Sequence, residues 1–230
     1  MALVLLHAFP VDSRMWRPQE PFHPITPELL GIASIDDAAD HVARLLDQRG
    51  IERAVIGGLS RGGYIGLAFA RRYPERLSAL VLCDTNAGLD DEQAKRGRYQ
   101  MAERLDEEGI GFIPDIMLPR LLGDTSFRER CELVEEVRNW ILQQDPGAVA
   151  AAAIGMAERQ DSRPILSSIA VPVLAIAGQQ DSAHEATRAI AEGVRNGRFI
   201  SIPRAGHLSN LEQPEKFNDA LRQFLEEHKL

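Results

Sequence analysis

The 230-residue sequence has few cysteines, no long apolar run and no cluster of basic residues. Cys83 and Cys131 are its two cysteines, which is too few for a disulfide framework. Nowhere do about eighteen apolar residues follow one another, so the sequence predicts no membrane-spanning helix. The segment 1–7 has neither the basic start nor the cleavage pattern of a signal peptide. We therefore expect a cytoplasmic protein.

The charge is negative, with a formal net value of −8 and a pI near 5.3. This excess of acidic residues argues against a surface for nucleic acid or for an anionic membrane. Arg71-Arg72 and Lys95-Arg96 are short basic pairs of the kind found on solvated helix faces. By exclusion, the charge favours a small-molecule substrate.

The length suits one large domain, and we expect residues 1–230 to form it. Short apolar runs alternate with stretches of helical period. Five of these runs predict strands: Ala2–Leu6, Ala54–Ile56, Ala79–Leu82, Val171–Ala177 and Arg198–Ile202. Most are apolar throughout, as in a parallel sheet that is covered on both faces. The sequence therefore predicts an α/β fold with a doubly wound parallel sheet.

Three helices have recognisable ends in the sequence. Ser34 or Asp36 can cap a helix that stops at Gly50. A second begins at Ser60 and runs towards the break at Pro74, and a third follows Pro214. These helices lie between or after the predicted strands, as the α/β alternation requires.

The stretch from about Asn86 to Ser162 departs from this alternation, because it has a helical period and contains no convincing strand. Its glycines and prolines predict breaks into several helices: Gly109, Gly111, Pro114, Pro119 and Pro146. Such a block between two strands indicates an insertion that folds over one end of the sheet.

The sequence Gly58-Leu59-Ser60-Arg61-Gly62-Gly63 follows a predicted strand and precedes a predicted helix. In that context a G-x-S-x-G pattern indicates a nucleophilic serine on a sharp turn, where flanking residues must lack bulk. The helix N-terminus also favours an anion that develops nearby. The alternatives are a glycine-rich packing turn and a phosphate loop, and the latter lacks the lysine it needs. We interpret Ser60 as the nucleophile.

A serine nucleophile needs an adjacent base. Of six histidines, His207 is the best candidate, since it lies in a small-residue loop between a strand and the final helix. Ligands bind at such strand ends in open α/β sheets. A loop-bracing role is the alternative for His207, and His184 is the rival base.

The acid that orients the base is expected after the preceding strand. Asp181 follows the strand Val171–Ala177. The chain order Ser60, Asp181, His207 is the order of nucleophile, acid and base expected with a G-x-S-x-G turn between a strand and a helix. Asp84, at the end of an earlier strand, is the second candidate, although a capping or loop-anchoring role suits it better.

An acyl-transfer intermediate requires donors for its oxyanion. The backbone N–H of Arg61 is one candidate, and that of Phe9, in the loop His7-Ala8-Phe9-Pro10, is the other. We interpret His7 as a residue that braces this loop rather than as a catalyst.

Together these residues resemble the α/β-hydrolases of the esterase, 3-oxoadipate enol-lactonase and non-metal haloperoxidase group. The matching motifs cover nearly the whole chain: Leu6–Pro10, Gly58–Gly63, Leu80–Thr85, Gly178–Asp181 and Ala205–Pro214. The resemblance implies a triad of serine, aspartate and histidine. It also implies that the enzyme uses no cofactor or metal and has a helical cap at about 86–165.

The sequence also departs from this group. It starts directly at the strand before His7, so we expect a sheet without the group's first two strands, and the next strand is reduced to about Ile25–Gly31. Ala8 replaces a glycine, and Arg61 replaces an uncharged residue. Either change could narrow the mouth of the pocket, and Arg61 could favour an acidic substrate.

These observations favour hydrolysis of a small-molecule carboxylic ester through an acyl-serine intermediate. Enol-lactone hydrolysis and carbon–carbon bond hydrolysis with the same triad remain alternatives, and a non-catalytic ligand-binding protein is a remote one. Dehalogenation is disfavoured because those relatives use an aspartate nucleophile. The sequence does not indicate an oligomeric state.

The substrate pocket is the least readable part of the sequence. Trp16 and Trp140 are candidates for contact with substrate. Several apolar residues of the helical block could line a pocket, but we expect most of them to pack helices against the sheet instead: Phe112, Ile116, Met117, Leu121, Trp140 and Ile141.

Overall fold

The computed structural model describes all 230 residues and contains one five-stranded sheet. The strands are β1 (Ala2–Leu6), β2 (Ala54–Leu59), β3 (Leu77–Cys83), β4 (Val173–Gly178) and β5 (Gly197–Ile202). They pair in chain order, and every pair is parallel. The predicted parallel sheet is confirmed, with each strand within a few residues of its expected place.

Ten α-helices connect and cover the strands. They are α1 (Ile35–Gln48), α2 (Arg61–Arg72), α3 (Glu92–Glu108), α4 (Ile113–Leu121), α5 (Asp124–Glu129), α6 (Cys131–Leu142), α7 (Pro146–Ala157), α8 (His184–Gly193), α9 (Ser209–Glu212) and α10 (Pro214–Glu227). Short 3₁₀ segments lie at Ser13–Phe22, Pro74–Arg76, Ile110–Phe112 and Arg163–Ser168.

The burial of the strands follows their place in the sheet. Every residue of β2 and β4 is buried, as expected for inner strands covered on both faces. The edge strand β5 is partly exposed along most of its length. On the other edge, Ile25 makes a single parallel bridge to Val4. The reduced strand expected near Ile25 is therefore confirmed.

Helix α1 shows how local sequence sets the element ends. Of the two predicted caps, Ser34 takes the position, and its Oγ accepts a hydrogen bond from the Asp37 N–H at 3.2 Å. Beyond the helix, Gly50 has a φ of 64°, a left-handed conformation that glycine adopts without strain. The apolar face of the helix packs against α2.

Between β3 and β4 the chain forms the five helices α3 to α7 and no strand, as the sequence predicts. The long helix α3 packs against α7. Pro146 starts α7, but Pro119 lies inside α4 and does not end it. Pro119 is close to the C-terminal end of this short helix, so little helix remains beyond it for the proline to disrupt. The expected break at Pro119 was wrong.

None of the helices is both long and apolar enough to cross a membrane.

Candidate active site

Ser60 lies on the sharp turn between β2 and α2, with φ of 57° and ψ of −114°. A non-glycine residue with positive φ is strained, at a cost of about 1–3 kcal/mol. Two hydrogen bonds secure the turn. The Ser60 N–H donates to the Cys83 carbonyl at 2.9 Å, and Thr85 Oγ1 donates to the Ser60 carbonyl at 2.9 Å. The end of β3 thus holds the strained residue in place.

Gly58 and Gly62 make this turn possible because the backbone packs too closely for a side chain. A Cβ atom on Gly58 would collide with the backbone of Gly62, and one on Gly62 would collide with the carbonyl of Leu6. The requirement for small residues on both sides of Ser60 therefore has a direct steric cause.

His207 and Asp181 come from loops that follow neighbouring strands, β5 and β4. His207 Nδ1 lies 3.0 Å from Asp181 Oδ1, and the two side chains are 16% and 1% exposed. Burial raises the pKa of Asp181, while the neighbouring His207 lowers it, and the net pKa lies below its ordinary value. The arrangement holds an ionised carboxylate against one nitrogen of the imidazole.

Ser60 and His207 line the same cleft, which has a volume of about 1050 Å³. The strand ends form one wall of this cleft, and residues of α3 and α4 form another. Since parallel strands end at the same edge of a sheet, side chains that are far apart in sequence meet here. The cleft is large enough for a small organic substrate.

Phe9 also lines the cleft. The backbone N–H groups of Phe9 and Arg61 make no hydrogen bond within the chain. Arg61 is the first residue of α2, where the N–H has no intrahelical partner. These two N–H groups are therefore free to donate to a ligand oxygen.

The Arg61 side chain lies outside the cleft, contrary to the expectation that it narrows the mouth or favours an acidic substrate. It is fully buried and donates to the carbonyls of Leu29 at 3.2 Å and Ile32 at 2.5 Å. Burial lowers the pKa of Arg61 to about 10. The guanidinium thus holds the chain after the Ile25 bridge and does not face substrate.

His7 and His184 hold structural positions in the fold. The buried His7 ring accepts a hydrogen bond from the Leu29 N–H at 2.9 Å and faces the Ala8 carbonyl at 3.0 Å. Burial lowers its pKa, which favours the neutral ring. His184 Nε2 lies 2.8 Å from Ser201 Oγ.

Asp84 does not form a hydrogen bond with His207. Its Oδ1 accepts from the Gly178 N–H at 2.7 Å, and its Oδ2 accepts from Ser209 Oγ. The anchoring role preferred for Asp84 in the sequence agrees with these contacts.

Neither tryptophan lines the cleft. Trp16 is 1% exposed, and its ring packs 6.2 Å from that of Phe217, centroid to centroid. Trp140 is 4% exposed and lies beneath the guanidinium groups of Arg14 and Arg17. Both contribute to packing.

Four of the six apolar candidates from the helical block do line the cleft: Phe112, Ile116, Met117 and Leu121. The expectation that most of the six pack against the sheet instead of lining a pocket was wrong. Helical periodicity identifies an apolar face but does not show whether another element covers it.

Glu212 is a residue of this region that the sequence reasoning did not single out. Its Oε2 accepts from the Gly123 N–H at 2.8 Å and from Ser126 Oγ at 2.6 Å, and its Oε1 accepts from the Gly206 N–H at 2.8 Å. Burial raises its pKa, and these hydrogen bonds oppose the rise. Glu212 thus ties the loop of His207 to the turn between α4 and α5. The only sequence signal was its place in the motif Ala205–Pro214.

The geometry of these groups suits acyl transfer. A hydroxyl at the start of a helix, an imidazole oriented by a buried carboxylate and the residue Phe9 meet at one cleft, and the free N–H of Arg61 directly follows the hydroxyl-bearing residue. Such a set can activate an oxygen nucleophile and stabilise an oxyanion.

Comparisons with known proteins agree with the fold. The chain is 40% identical to a thermophilic esterase from Thermogutta terrifontis, solved with malate bound, with a TM-score of 0.95 over 99% of this chain and 90% of that one. It is 30% identical to 3-oxoadipate enol-lactonase 2 of Acinetobacter baylyi, over 84% of this chain and 71% of that protein. The enol-lactonase from Burkholderia xenovorans LB400 is 25% identical, with a TM-score of 0.85 over 98% of this chain and 92% of that one.

A family model described as "Alpha/beta hydrolase family" matches residues 3–220. This match covers nearly all of the sheet, the inserted helices and the loop of His207. The chain is a member of the alpha/beta hydrolase family.

Proposed function

We propose that the protein is a serine hydrolase that cleaves carboxylic esters of small molecules through an acyl-Ser60 intermediate. The observation that carries this proposal is the convergence of Ser60 and the His207–Asp181 pair on one cleft. The strained turn supports it further, because backbone strain of this kind concentrates at functional sites.

In the first half of the reaction, Ser60 Oγ attacks the ester carbonyl carbon while His207 Nε2 takes the hydroxyl proton. Asp181 holds the other ring nitrogen and stabilises the imidazolium that forms. The tetrahedral intermediate then collapses. The carbon–oxygen bond to the leaving group breaks, and His207 returns the proton to the departing alcohol.

In the second half, a water molecule attacks the acyl-Ser60 carbonyl and gives its proton to His207. Collapse of the second intermediate releases the carboxylic acid and returns the proton to Ser60. The N–H groups of Phe9 and Arg61 donate to the oxyanion in both halves, and one such donor is worth about 3–4 kcal/mol.

Similarity to the Thermogutta terrifontis esterase supports the choice of an ester substrate, since 40% identity extends over almost the whole chain. Substrate choice depends on the cleft, to which α3 and α4 contribute many residues. The ester class is therefore better supported than any individual ester.

Substitution of Ser60 tests the proposal. The S60A variant should lose turnover of p-nitrophenyl acetate by roughly 10⁴-fold or more, because the nucleophile itself is removed. Ser168, whose Oγ donates only to the Ile165 carbonyl at 2.7 Å, provides the matched control. The S168A variant should keep wild-type turnover. Retention of most activity in S60A would contradict the mechanism.

Enol-lactone hydrolysis by the same residues is a second candidate, supported by the enol-lactonase relatives and by a cleft arginine that has no ion pair. Arg98, Arg104 and Arg120 line the cleft; the first two are paired with carboxylates, whereas Arg120 has no ion pair. The malate bound to the esterase is a dicarboxylate, and 3-oxoadipate is another. A series of neutral esters, carboxylate-bearing esters and an enol-lactone, compared by kcat/KM, would distinguish the two candidates.

A further inference from the structure

The proposed mechanism leaves the buried carboxyl group of Asp84 without a role. Asp84 is 0% exposed and has a φ of 47° at the carboxyl end of β3. Its two oxygens accept from Gly178 N–H and Ser209 Oγ. Gly178 ends the strand that leads to Asp181, and Ser209 lies two residues after His207. Asp84 thus contacts both of the loops that carry the base and its acid.

The carboxylate of Asp181 has one occupied and one unsatisfied oxygen. Oδ1 faces His207, while Oδ2 is buried and accepts no hydrogen bond from an amide, guanidinium or hydroxyl donor of the chain. The carboxyl group of Asp84 is within hydrogen-bonding reach of Asp181. A proton on Asp84 would supply the donor that Asp181 Oδ2 lacks.

The electrostatics of this pair favour one proton between the two groups. Two adjacent carboxylates in a buried site cannot both ionise without a large cost. The pKa of Asp84 lies well above its ordinary value. Burial is the main cause, and the negative charge of Asp181 is the next. The pKa of Asp181 moves in the other direction, because the charge of His207 and the hydrogen bonds to Asp181 together outweigh its burial. These opposite directions favour a proton on Asp84.

We propose that Asp84 is a positioning residue: as a neutral carboxylic acid it donates a hydrogen bond to Asp181 Oδ2 and keeps Oδ1 aimed at His207. The inference rests on the proposed function, since it assigns a task only if Asp181 orients the catalytic base. Asp84, at the end of β3, would then act together with Asp181 in orienting the imidazole of His207.

Several groups surround this carboxyl pair and bear on its titration. Asp84 faces Asp181, the Ser209 hydroxyl, the Gly178 N–H and the buried Cys83 thiol, whose own pKa is raised by burial and by Asp84. Asp181 additionally faces His207 and the Ala183 N–H. Of these groups, His207 alone can carry a positive charge, so it attracts the negative charge to Asp181.

Two substitutions of similar size separate donation from packing. In D84N the side-chain oxygen can accept from Gly178, and the NH₂ group can donate to both Asp181 and Ser209. In D84L all three polar partners lose their bonds. Loss of a hydrogen bond to a charged group predicts a fall in kcat of roughly 10- to 100-fold for D84L. We expect D84N to recover most of that loss.

The pH profile of kcat supplies a readout that a purely structural role would not change. Because the pKa of Asp84 is raised, the wild type holds the proton at low pH and loses it as the pH rises. The wild-type kcat should therefore fall on the alkaline side when the donor is lost. In D84N the amide donates at every pH, so this alkaline fall should be absent. Asp219, an exposed carboxylate paired with Arg222, gives the control variant D219N, which should keep the wild-type profile.

Infrared spectroscopy tests the proton directly, including for variants with little activity. The wild type at neutral pH should show a carbonyl stretch of a protonated carboxylic acid that is missing from D84N. Glu212 has a raised pKa as well, so the assignment relies on the difference between the two proteins.

Failure of this inference and failure of the proposed function give different results. If Ser60 reacts with a fluorophosphonate but D84N and the wild type share one pH profile and one carboxyl band, the role of Asp84 is refuted and the serine mechanism stands. If Ser60 never reacts in the folded wild type, the proposed function fails first. A D84N variant as impaired as D84L would also refute the donor role.

Discussion

The polar groups behind one wall of the cleft are held differently from those on the facing wall. Behind the strand ends, Asp181 and Asp84 do not line the cleft; they are buried and bound to partners from other parts of the chain. On α3 and α4, Arg104 and Arg120 are exposed, and Arg120 has no ion pair. Under the proposed mechanism, this difference assigns the geometry of the reaction to the strand ends and the choice of substrate to the helices.

The largest expected effect is at the strand ends. The D181N variant should reduce kcat by about 10⁴-fold, since the amide stabilises the wrong tautomer of His207 and cannot balance the imidazolium charge. Steady-state kinetics with p-nitrophenyl acetate would measure this loss. Asp115, an exposed carboxylate on α4, provides the control variant D115N, which should keep the wild-type kcat.

A smaller effect is expected where the two walls meet. The E212Q variant replaces one acceptor oxygen with an NH₂ group that faces backbone N–H donors, so at least one buried bond is lost. We expect unfolding free energy to fall by about 1–3 kcal/mol and kcat to fall less than in D181N. Denaturant unfolding and kinetics would measure both. The exposed neighbour Glu215 gives the control E215Q. Equal unfolding free energies of E212Q and E215Q would contradict the proposed role of Glu212.

The smallest effect should be on the helical wall. In R120A the KM for an ester that carries a carboxylate should rise about 2- to 5-fold, because an exposed ion pair is worth about 0.2–1 kcal/mol. The kcat for that ester, and both constants for p-nitrophenyl acetate, should stay unchanged. Arg128 on α5 is exposed and does not line the cleft, so R128A is the control. A fall in kcat for the neutral ester would contradict the division between the walls.

The sequence predicts the sheet and the serine turn well because their signals are local. Continuous apolar runs mark the buried strands, and the steric demand at Gly58 arises within five residues of chain, although the one at Gly62 comes from the carbonyl of Leu6 on β1. The contacts of Asp84 and Glu212 were not predictable in this way. Each carboxyl group bonds partners from separate parts of the chain, so its partners become known only when the strand ends are assembled.

The pocket residues show a second reason for error. Trp16 and Phe112 are both large aromatic residues in helical segments, yet Trp16 is buried against Phe217 and Phe112 lines the cleft. Likewise, Arg61 follows Ser60 directly but directs its side chain away from the cleft to backbone carbonyls. Which face of an element remains uncovered depends on the packing of the whole molecule.

Covalent labelling of Ser60 tests the central claim most directly. A fluorophosphonate should add one equivalent to the folded wild-type protein, and peptide mapping by mass spectrometry should place the adduct on Ser60. The S60A variant should remain unlabelled, and D181N should react far more slowly than the wild type. A folded wild-type protein that stays unlabelled, or that carries the adduct on another residue, would contradict the account.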